Sequence, residues 1–209
     1  MLCHDKSTLS YSALWKATDP ISLRAFALPA PELARVLLGS VLFHAETAGM
    51  IVETEAYLAT GDLAAHSSRG VTERTKVIFG PAGRAYVYLI YGMYECLNVV
   101  ADVDGVPGCV LIRALAPLAG LSLMAQRRHW HGPPKGLTNG PGKLTRALAI
   151  TRDQYGQRLD TGPLTIRHWR NKPELPIAAT RRIGITQCVD WPLRFVWANH
   201  PCVSKPSVK

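Results

Sequence analysis

The sequence predicts a single mixed α+β domain. Apolar runs of strand length alternate with short helical segments and with turns that are rich in glycine and proline. The chain has 209 residues, of which 47% are hydrophobic and 19% charged, so it can bury one substantial core. No internal repeat, linker or low-complexity run divides the chain.

The N-terminal elements are an arm and a short helix. Residues 1–24 are mixed and polar, and we expect them to form a loosely attached arm. A helix is predicted over residues 31–38, because Pro31 suits the first helical turn and Gly39 can end the helix.

Two strands and a long loop come next. Residues 40–44 and 50–57 are predicted to pair as strands around a turn at residues 47–49. Residues 59–84 then form a long loop that contains several glycines and charges. Loops of that length are usually functional or mobile.

A tyrosine-rich segment predicts a β-hairpin. Residues 86–94 hold four of the seven tyrosines of the chain. In a strand Tyr86, Tyr88 and Ile90 share one face, and Gly92 has the backbone freedom that a sharp turn needs. Exposed aromatic side chains indicate a binding partner. The tip of this hairpin would be crowded by three large side chains: Tyr91, Met93 and Tyr94.

The C-terminal half alternates strands with helices. A strand is predicted over residues 109–113, and Pro117 is predicted to open a helix. A second helix has Pro141 in its first turn and Asn139 or Gly140 as its cap. Short strands are predicted at residues 164–168, 182–185 and 193–197.

The charge of the chain favours a polyanionic partner. Lysine and arginine number 24 against 15 acidic residues, which gives a formal net charge of +9. Such a balance constrains the class of partner and not the fold. Together with the aromatic hairpin it indicates a nucleic acid.

The cysteines and the apolar runs indicate the compartment. The five cysteines are scattered without a CxxC pair, which argues against a structural zinc site and against a disulfide framework. Cys96 and Cys109 lie in apolar runs, so we expect small core residues in a reducing compartment. No run approaches the roughly 20 apolar residues of a membrane span, and residues 1–6 lack a signal-peptide core. We therefore expect a cytosolic protein that is nucleoid-associated in a bacterium, or a nuclear one in a eukaryote.

An acidic strand face suggests chemistry. Glu53, Glu55 and Tyr57 lie two residues apart, so a strand points all three to one side. One interpretation is a solvated acidic face. The other is that one acid faces a pocket and activates water, or stabilises an oxocarbenium-like sugar as in glycosidic cleavage.

Six segments together resemble the alkyladenine (3-methyladenine) DNA glycosylase family. The similarity spans residues 24–204, so we assign residues 25–204 to one glycosylase domain and 205–209 to a tail. The segments occur in the family's order at residues 51–57, 64–67, 86–98, 110–114, 140–144 and 192–195.

The resemblance implies a fold and a reaction. The fold is a compact mixed domain around a curved antiparallel sheet, with the hairpin protruding into the minor groove. The reaction is hydrolytic excision of an alkylated or deaminated purine from duplex DNA, of the 3-methyladenine, 7-methylguanine, hypoxanthine and ethenoadenine class, which leaves an abasic site. We expect a monomer that acts on damaged duplex DNA and needs no cofactor and no metal.

The resemblance also assigns the reacting groups and the base pocket. Glu55 matches the carboxylate that activates water, and Arg113 matches the arginine that helps to hold that water. Tyr57 corresponds to one wall of the base pocket, and His66 and Tyr88 correspond to the other. An electron-poor alkylated base favours such an aromatic sandwich.

Further matches concern selectivity and DNA binding. Asn98 corresponds to a filter against the exocyclic amine of guanine, and Leu111 lines the pocket. Tyr91 corresponds to the wedge that fills the gap left by the flipped nucleotide, flanked by Met93 and Tyr94. Two weaker phosphate contacts are Lys143 and Gly184.

Two positions and two rival functions complete the interpretation. Glu53 is assigned a supporting role, and Glu95 departs from the family by placing an acid beside the wedge.

One rival function is that of a non-catalytic sensor of distorted DNA, which would tolerate Glu55→Gln. The other is an RNA-binding module of related architecture, which would prefer structured RNA to duplex DNA.

Overall fold

A computed structural model describes residues 10–204 of the chain. The strands are β1 (Thr18–Pro20), β2 (Val41–His44), β3 (Thr47–Tyr57), β4 (Ala85–Ile90), β5 (Tyr94–Ala101), β6 (Gly108–Ala119), β7 (Thr165–Trp169), β8 (Ile177–Thr180) and β9 (Arg194–Trp197). The α-helices are α1 (Tyr11–Lys16), α2 (Leu23–Phe26), α3 (Ala30–Leu37), α4 (Leu121–Arg128) and α5 (Pro141–Ala147). Short 3₁₀ helices occur at His66–Arg69, Lys76–Phe79, Pro134–Gly136 and Arg152–Gln154.

The described strands form one antiparallel sheet that is organised around β3. The order along the main path is β1-β7-β2-β3-β6-β5-β4. On one side, β3 pairs with β6 over most of the length of β3. On its other side, β3 pairs with two strands: its first residues pair with β2, and Glu53, Thr54 and Glu55 pair with β9. The register of β3 on β6 shifts on both sides of Glu53. The α+β prediction is thereby confirmed, and the sheet branches at the acidic residues of β3.

Helices α3 and α5 pack into the core through the apolar faces that the sequence predicts. Pro29 precedes α3, and Leu33 and Leu37 on its inner face are fully buried. Gly140 caps α5, where Leu144 and Ala147 are fully buried and join the same hydrophobic cluster. Burial of apolar side chains at helical spacing drives this packing.

The β2–β3 turn lies two residues earlier than predicted. Ala45 and Glu46 have φ values of 46° and 63°, so they form the turn, and residues 47–49 belong to β3. Two consecutive positive φ values are the mark of a type I′ turn, whose twist matches that of the strands. Neither residue is a typical choice for such a turn, which explains the error.

The prediction that Pro117 opens a helix is wrong. Pro117 belongs to β6, where it pairs with Gly49 beside a register irregularity of β3. A proline lacks the N–H of a regular ladder and is tolerated where the ladder is interrupted. The helix starts later, after Gly120 in the left-handed conformation (φ 73°).

Residues 10–24 differ from the predicted loose arm. Helix α1 buries Leu14 completely, and the Trp15 ring packs edge-on against Phe43 at 5.1 Å. Strand β1 then pairs with β7. The rest of the arm, residues 1–9, and the tail at 205–209 lie outside the described residues, so the domain boundaries stay predictions. Within residues 10–204 the helices are all too short or too polar to span a bilayer.

Candidate active site

Two fully buried acids stand side by side at the branch of the sheet. The side chains of Glu53 and Glu55 are 0% exposed. Arg113 of β6 bridges them, since its Nε donates to Glu53 Oε1 at 2.9 Å and its Nη1 donates to Glu55 Oε2 at 3.2 Å. The prediction that the two acids share a strand face is confirmed. The alternative of a solvated acidic face is wrong, because neither acid reaches solvent.

Glu53 is held as a permanent anion. Its Oε1 also accepts from Arg194 Nε at 2.7 Å and from the Ser204 hydroxyl at 2.7 Å, and its Oε2 accepts from the Ser204 backbone N–H at 2.6 Å. Burial alone would raise the pKa of Glu53, but the charges of Arg113 and Arg194 and the Ser204 N–H outweigh it and hold that pKa below its usual range. Glu53 therefore orients Arg113 and takes up no proton near neutral pH.

Glu55 has the opposite electrostatic character. Burial raises its pKa, although Arg113, the Ile183 N–H and the Tyr57 hydroxyl each act to lower it. The Ile183 N–H donates to Oε1 at 2.7 Å, and the Tyr57 hydroxyl donates to Oε2 at 3.0 Å. A carboxyl whose pKa lies above the ordinary value is suited to accept a proton in a reaction.

A cavity of about 740 Å³ opens next to Glu55. Three partners of Glu55 line it, namely Tyr57, Arg113 and Ile183. The volume falls in the range of small-ligand sites. The cavity is also lined by the remaining residues that the sequence assigned to a base pocket: His66, Tyr88, Asn98 and Leu111.

Three aromatic rings of the cavity lining, those of His66, Tyr86 and Tyr88, form a connected cluster. The His66 and Tyr88 rings meet at 4.6 Å with an interplanar angle of 71°, and Tyr86 lies 5.2 Å from Tyr88. Asn98 is fixed behind them because its Nδ2 donates to the Tyr86 carbonyl at 3.2 Å. Tyr86 is fully buried, so it is a core residue.

His66 is neutral and contacts the Tyr86 hydroxyl. Burial, together with the charges of Arg74 and Arg69, lowers its pKa to about 4. His66 Nδ1 lies 2.9 Å from the Tyr86 hydroxyl. A phenol hydroxyl can donate its hydrogen to Nδ1. We therefore assign the ring proton of His66 to Nε2.

The hairpin tip presents the three predicted side chains to solvent. Tyr91 is 77% exposed, Met93 66% and Tyr94 47%. Tyr91 and Gly92 both have positive φ, which makes the turn between β4 and β5. Tyr94 packs against the start of α5, where a Cβ added at Gly142 would lie 2.9 Å from the Tyr94 Cβ.

Cationic and glycine residues also line the cavity. Lys143 and Gly184, which the resemblance predicts as phosphate contacts, line the cavity together with Arg128 and Arg146. The Lys143 ammonium donates to Asn139 Oδ1 at 2.9 Å. Nothing lies within 4 Å of a Cβ added at Gly184, whose φ is 80°.

Glu95 is bound to the 3₁₀ helix Arg152–Gln154 and to α5. Its Oε1 accepts from Arg152 Nε at 3.1 Å, while Thr145 donates to its carbonyl at 2.9 Å. Tyr94 and Cys96 line the cavity, whereas Glu95 between them points to the other strand face. Its carboxylate is therefore partly neutralised and directed away from the cavity.

Several residues of the site carry no recognisable signal in the sequence. The predicted strand at residues 182–185 is wrong, because this segment between β8 and β9 is irregular. Its Arg182 side chain binds Asp62, and the Ile183 N–H donates to Glu55 and not to a neighbouring strand. Cys96 and Cys109 are buried as expected, yet both line the cavity. Such contacts depend on chain segments distant in sequence.

Comparison with known proteins identifies relatives over most of the chain. The family model described as methylpurine-DNA glycosylase matches residues 24–201. A protein of Methanoculleus marisnigri is 52% identical over 179 residues, which cover 83% of this chain and 92% of that protein. Proteins of Rhodopseudomonas palustris (46% identical; 87% of this chain and 86% of that protein) and Myxococcus xanthus (44% identical; 79% and 82%) are also similar. All three are named as candidate 3-methyladenine DNA glycosylases.

Proposed function

The chain belongs to the methylpurine-DNA glycosylase family, and from this membership and the site geometry we propose how it excises damaged purines. The family and the relatives make it a 3-methyladenine DNA glycosylase that acts on DNA. We propose hydrolysis by one activated water. The observation that carries this proposal is the buried Glu55, with its raised pKa, beside a cavity of about 740 Å³ that three of its hydrogen-bond partners line.

The proposed reaction is a single displacement at C1′ of a flipped nucleotide. Ionised Glu55 takes a proton from water, the water oxygen bonds to C1′, and the C1′–N bond breaks with its electron pair leaving on the base. Arg113, fixed by Glu53, orients the water and balances the charge of Glu55. The sugar that develops positive charge is stabilised by the same carboxylate. Water is the nucleophile, so no enzyme lysine bonds to the sugar.

Two classes of base place different demands on the pocket. A base that is cationic through alkylation leaves as a neutral molecule and needs no proton. Hypoxanthine and ethenoadenine leave more easily when a donor faces the acceptor atoms of the base, and His66 Nε2–H is such a donor. Asn98, anchored on the Tyr86 carbonyl, restricts the space for the exocyclic amine of guanine. We therefore propose that both alkylated and deaminated purines are substrates.

The DNA contacts in this proposal surround the cavity mouth. Flipping a nucleotide costs a few kcal/mol of lost stacking. Tyr91, flanked by Met93 and Tyr94, offsets part of this cost by filling the gap in the duplex. Lys143 and the backbone at Gly184 hold phosphates near the flipped nucleotide. The enzyme acts as a monomer in this proposal.

A panel of single-lesion duplexes tests the proposed substrates. Single-turnover base release is measured for hypoxanthine, ethenoadenine and 7-methylguanine against an undamaged duplex and a structured RNA. We expect release from each lesion duplex, slowest for 7-methylguanine because it carries the exocyclic amine that Asn98 crowds, and none from the other two nucleic acids. Tight lesion binding without release would favour a sensor of distorted DNA, and preferential RNA binding would favour an RNA-directed module.

A matched variant tests the donor role of His66. Tyr86→Phe removes the hydroxyl that fixes the ring and keeps the core volume. We expect a larger fall in release of hypoxanthine than of 7-methylguanine, because only the neutral base gains from a donor. An equal fall in the release of both bases would show that His66 does not assist the departure of the base.

A further inference from the structure

A fully buried ion pair lies behind the cavity wall, outside the groups that the proposed chemistry uses. Arg182 Nη1 donates to Asp62 Oδ2 at 2.6 Å and Arg182 Nη2 donates to Asp62 Oδ1 at 2.8 Å. Both side chains are 0% exposed. Neither residue lines the cavity, although Tyr57 and Ile183 beside them do.

The arginine controls two groups that contact Glu55. Its guanidinium carbon lies 4.7 Å from the centre of the Tyr57 ring, and its Nη1 donates to the Ala56 carbonyl at 3.1 Å. The next residue, Ile183, donates its N–H to Glu55 Oε1. A planar guanidinium in a bidentate pair has little freedom, so it fixes both the ring and the adjacent peptide.

The aspartate controls the segment that leads to the opposite wall. Asp62 Oδ2 accepts the Leu58 N–H at 3.0 Å, and Oδ1 accepts the Ala64 N–H at 3.2 Å. The Ala65 N–H donates to the Asp62 carbonyl at 3.0 Å. His66 follows directly. One carboxylate therefore joins the end of β3, the His66 segment and the 182–183 segment.

We propose that Asp62 and Arg182 form a positioning pair that sets the geometry of the active site. The pair holds the Tyr57 hydroxyl and the Ile183 N–H on Glu55 and keeps His66 at a fixed distance across the cavity. This inference rests on the proposed role of Glu55. Neither residue touches the substrate.

Displacing the pair should impair the chemical step more than lesion binding. Misplacement of a reacting group by about 1 Å costs about 100-fold in rate. We therefore expect Asp62→Asn and Arg182→Lys each to lower the single-turnover rate by about 10- to 100-fold, counted per folded molecule. Affinity for the lesion duplex should change little. The double variant should be hardly slower than either single variant, because the two residues act together.

The pH profile separates positioning from mere instability. The charged and titratable groups that face Glu55 are Arg113, Glu53, Tyr57 and Arg182, together with the Ile183 N–H. Loss of the Ile183 hydrogen bond removes a group that lowers the pKa of Glu55. The acid limb of the rate profile should therefore move to higher pH in Arg182→Lys, which keeps the cationic charge that faces Glu55. A fall in rate that is equal at every pH would overturn the proposal.

A neighbouring residue supplies the matched control. Arg181 forms an exposed ion pair with Asp190 at 2.9 Å, and exposed pairs contribute little. Arg181→Gln should leave the rate and the pH profile unchanged. Asp62→Asn keeps the shape of the side chain and serves where Arg182→Lys fails to fold.

Hydrogen exchange tests the pair independently of activity. We expect faster exchange of the amides of residues 62–66 and 182–184 in Asp62→Asn, and unchanged exchange in Arg181→Gln. Wild-type exchange rates in Asp62→Asn would refute the pair as a positioning device whatever the enzyme releases. Absence of base release by the wild type, with faster exchange in Asp62→Asn, would instead refute the proposed function and keep the pair.

Discussion

Glu53 and Glu55 should respond in opposite ways to the same substitution. Both are fully buried and both contact Arg113, yet the pKa of Glu53 is lowered and that of Glu55 is raised. A lowered pKa means that ionisation of Glu53 stabilises the fold above its unfolded pKa, and that this stability is lost as the pH falls through the folded pKa. A raised pKa means that the stability from protonated Glu55 is lost as the pH rises through the folded value.

The magnitude follows from the burial of the partners. Glu53→Gln leaves Arg113 and Arg194 with one carboxylate fewer, at side-chain exposures of 8% and 2%. Breaking such a buried pair costs about 3–5 kcal/mol, which for this chain length lowers the Tm by about 6–20 °C. Glu55→Gln relieves the burial of a charge but loses acceptors, so its net effect on stability should stay within about 1 kcal/mol.

Urea unfolding followed by tryptophan fluorescence, with base release measured on the same samples, compares the two variants. We expect Glu53→Gln to unfold at a lower urea concentration and to retain part of its activity, and Glu55→Gln to unfold near the wild type without activity. Equal losses of stability in the two variants would refute the electrostatic assignment. Wild-type stability of Glu53→Gln would show that the network around Glu53 does not support the fold.

Other perturbations test the pKa of Glu55, the wedge role of Tyr91, the phosphate contact of Lys143 and the pKa of His66. The rate should rise with pH through a Glu55 pKa above 4.5, and a midpoint below 4.5 would contradict the cause given for it. Tyr91→Ser should weaken capture of the flipped nucleotide more than binding to undamaged duplex, as 2-aminopurine fluorescence beside the lesion would report; an equal loss would argue against a wedge. Lys143→Gln should reduce the slope of log affinity against log salt concentration for the lesion duplex by about 0.9. The control is Lys172→Gln, an exposed change after β7 that should leave this slope unchanged. Equal slopes for Lys143→Gln and the wild type would argue against a phosphate contact at Lys143. The free energy of unfolding should decline as the pH falls from about 6.5, the ordinary pKa of histidine in an unfolded chain, to about 4, the pKa of His66 in the folded protein. If a His66→Gln variant shows the same decline, another group is responsible for it.

The fold class and the tyrosine hairpin were predictable because they depend on local patterns, whereas the roles of the base-pocket residues came from the family resemblance. Glu53 and Glu55 are two residues apart in β3 and therefore lie on the same face of that strand. Tyr86 and Tyr88 are two residues apart in β4 and share one face of β4 for the same reason. Gly92 marks the hairpin turn. Period-two patterns of this kind survive folding wherever one strand face is buried.

The supporting contacts were not predictable from the sequence. Asp62 and Arg182 are 120 residues apart, and Glu53 and Ser204 are 151 residues apart. No local pattern encodes such pairs. Pro117 and the Ala45–Glu46 turn were misassigned because the register irregularity and two positive φ values depend on neighbouring strands.

Base release by wild type and by Glu55→Gln tests the central claim most directly. Both proteins are incubated in excess with a methylated duplex under single-turnover conditions, and the free base is separated and quantified. Glu46→Gln, an exposed change at the opposite end of the β2–β3 hairpin, is the control. We expect 3-methyladenine release by the wild type and the control and none by Glu55→Gln, which should still bind the lesion. Release by Glu55→Gln at the wild-type rate would contradict the activation of water by Glu55.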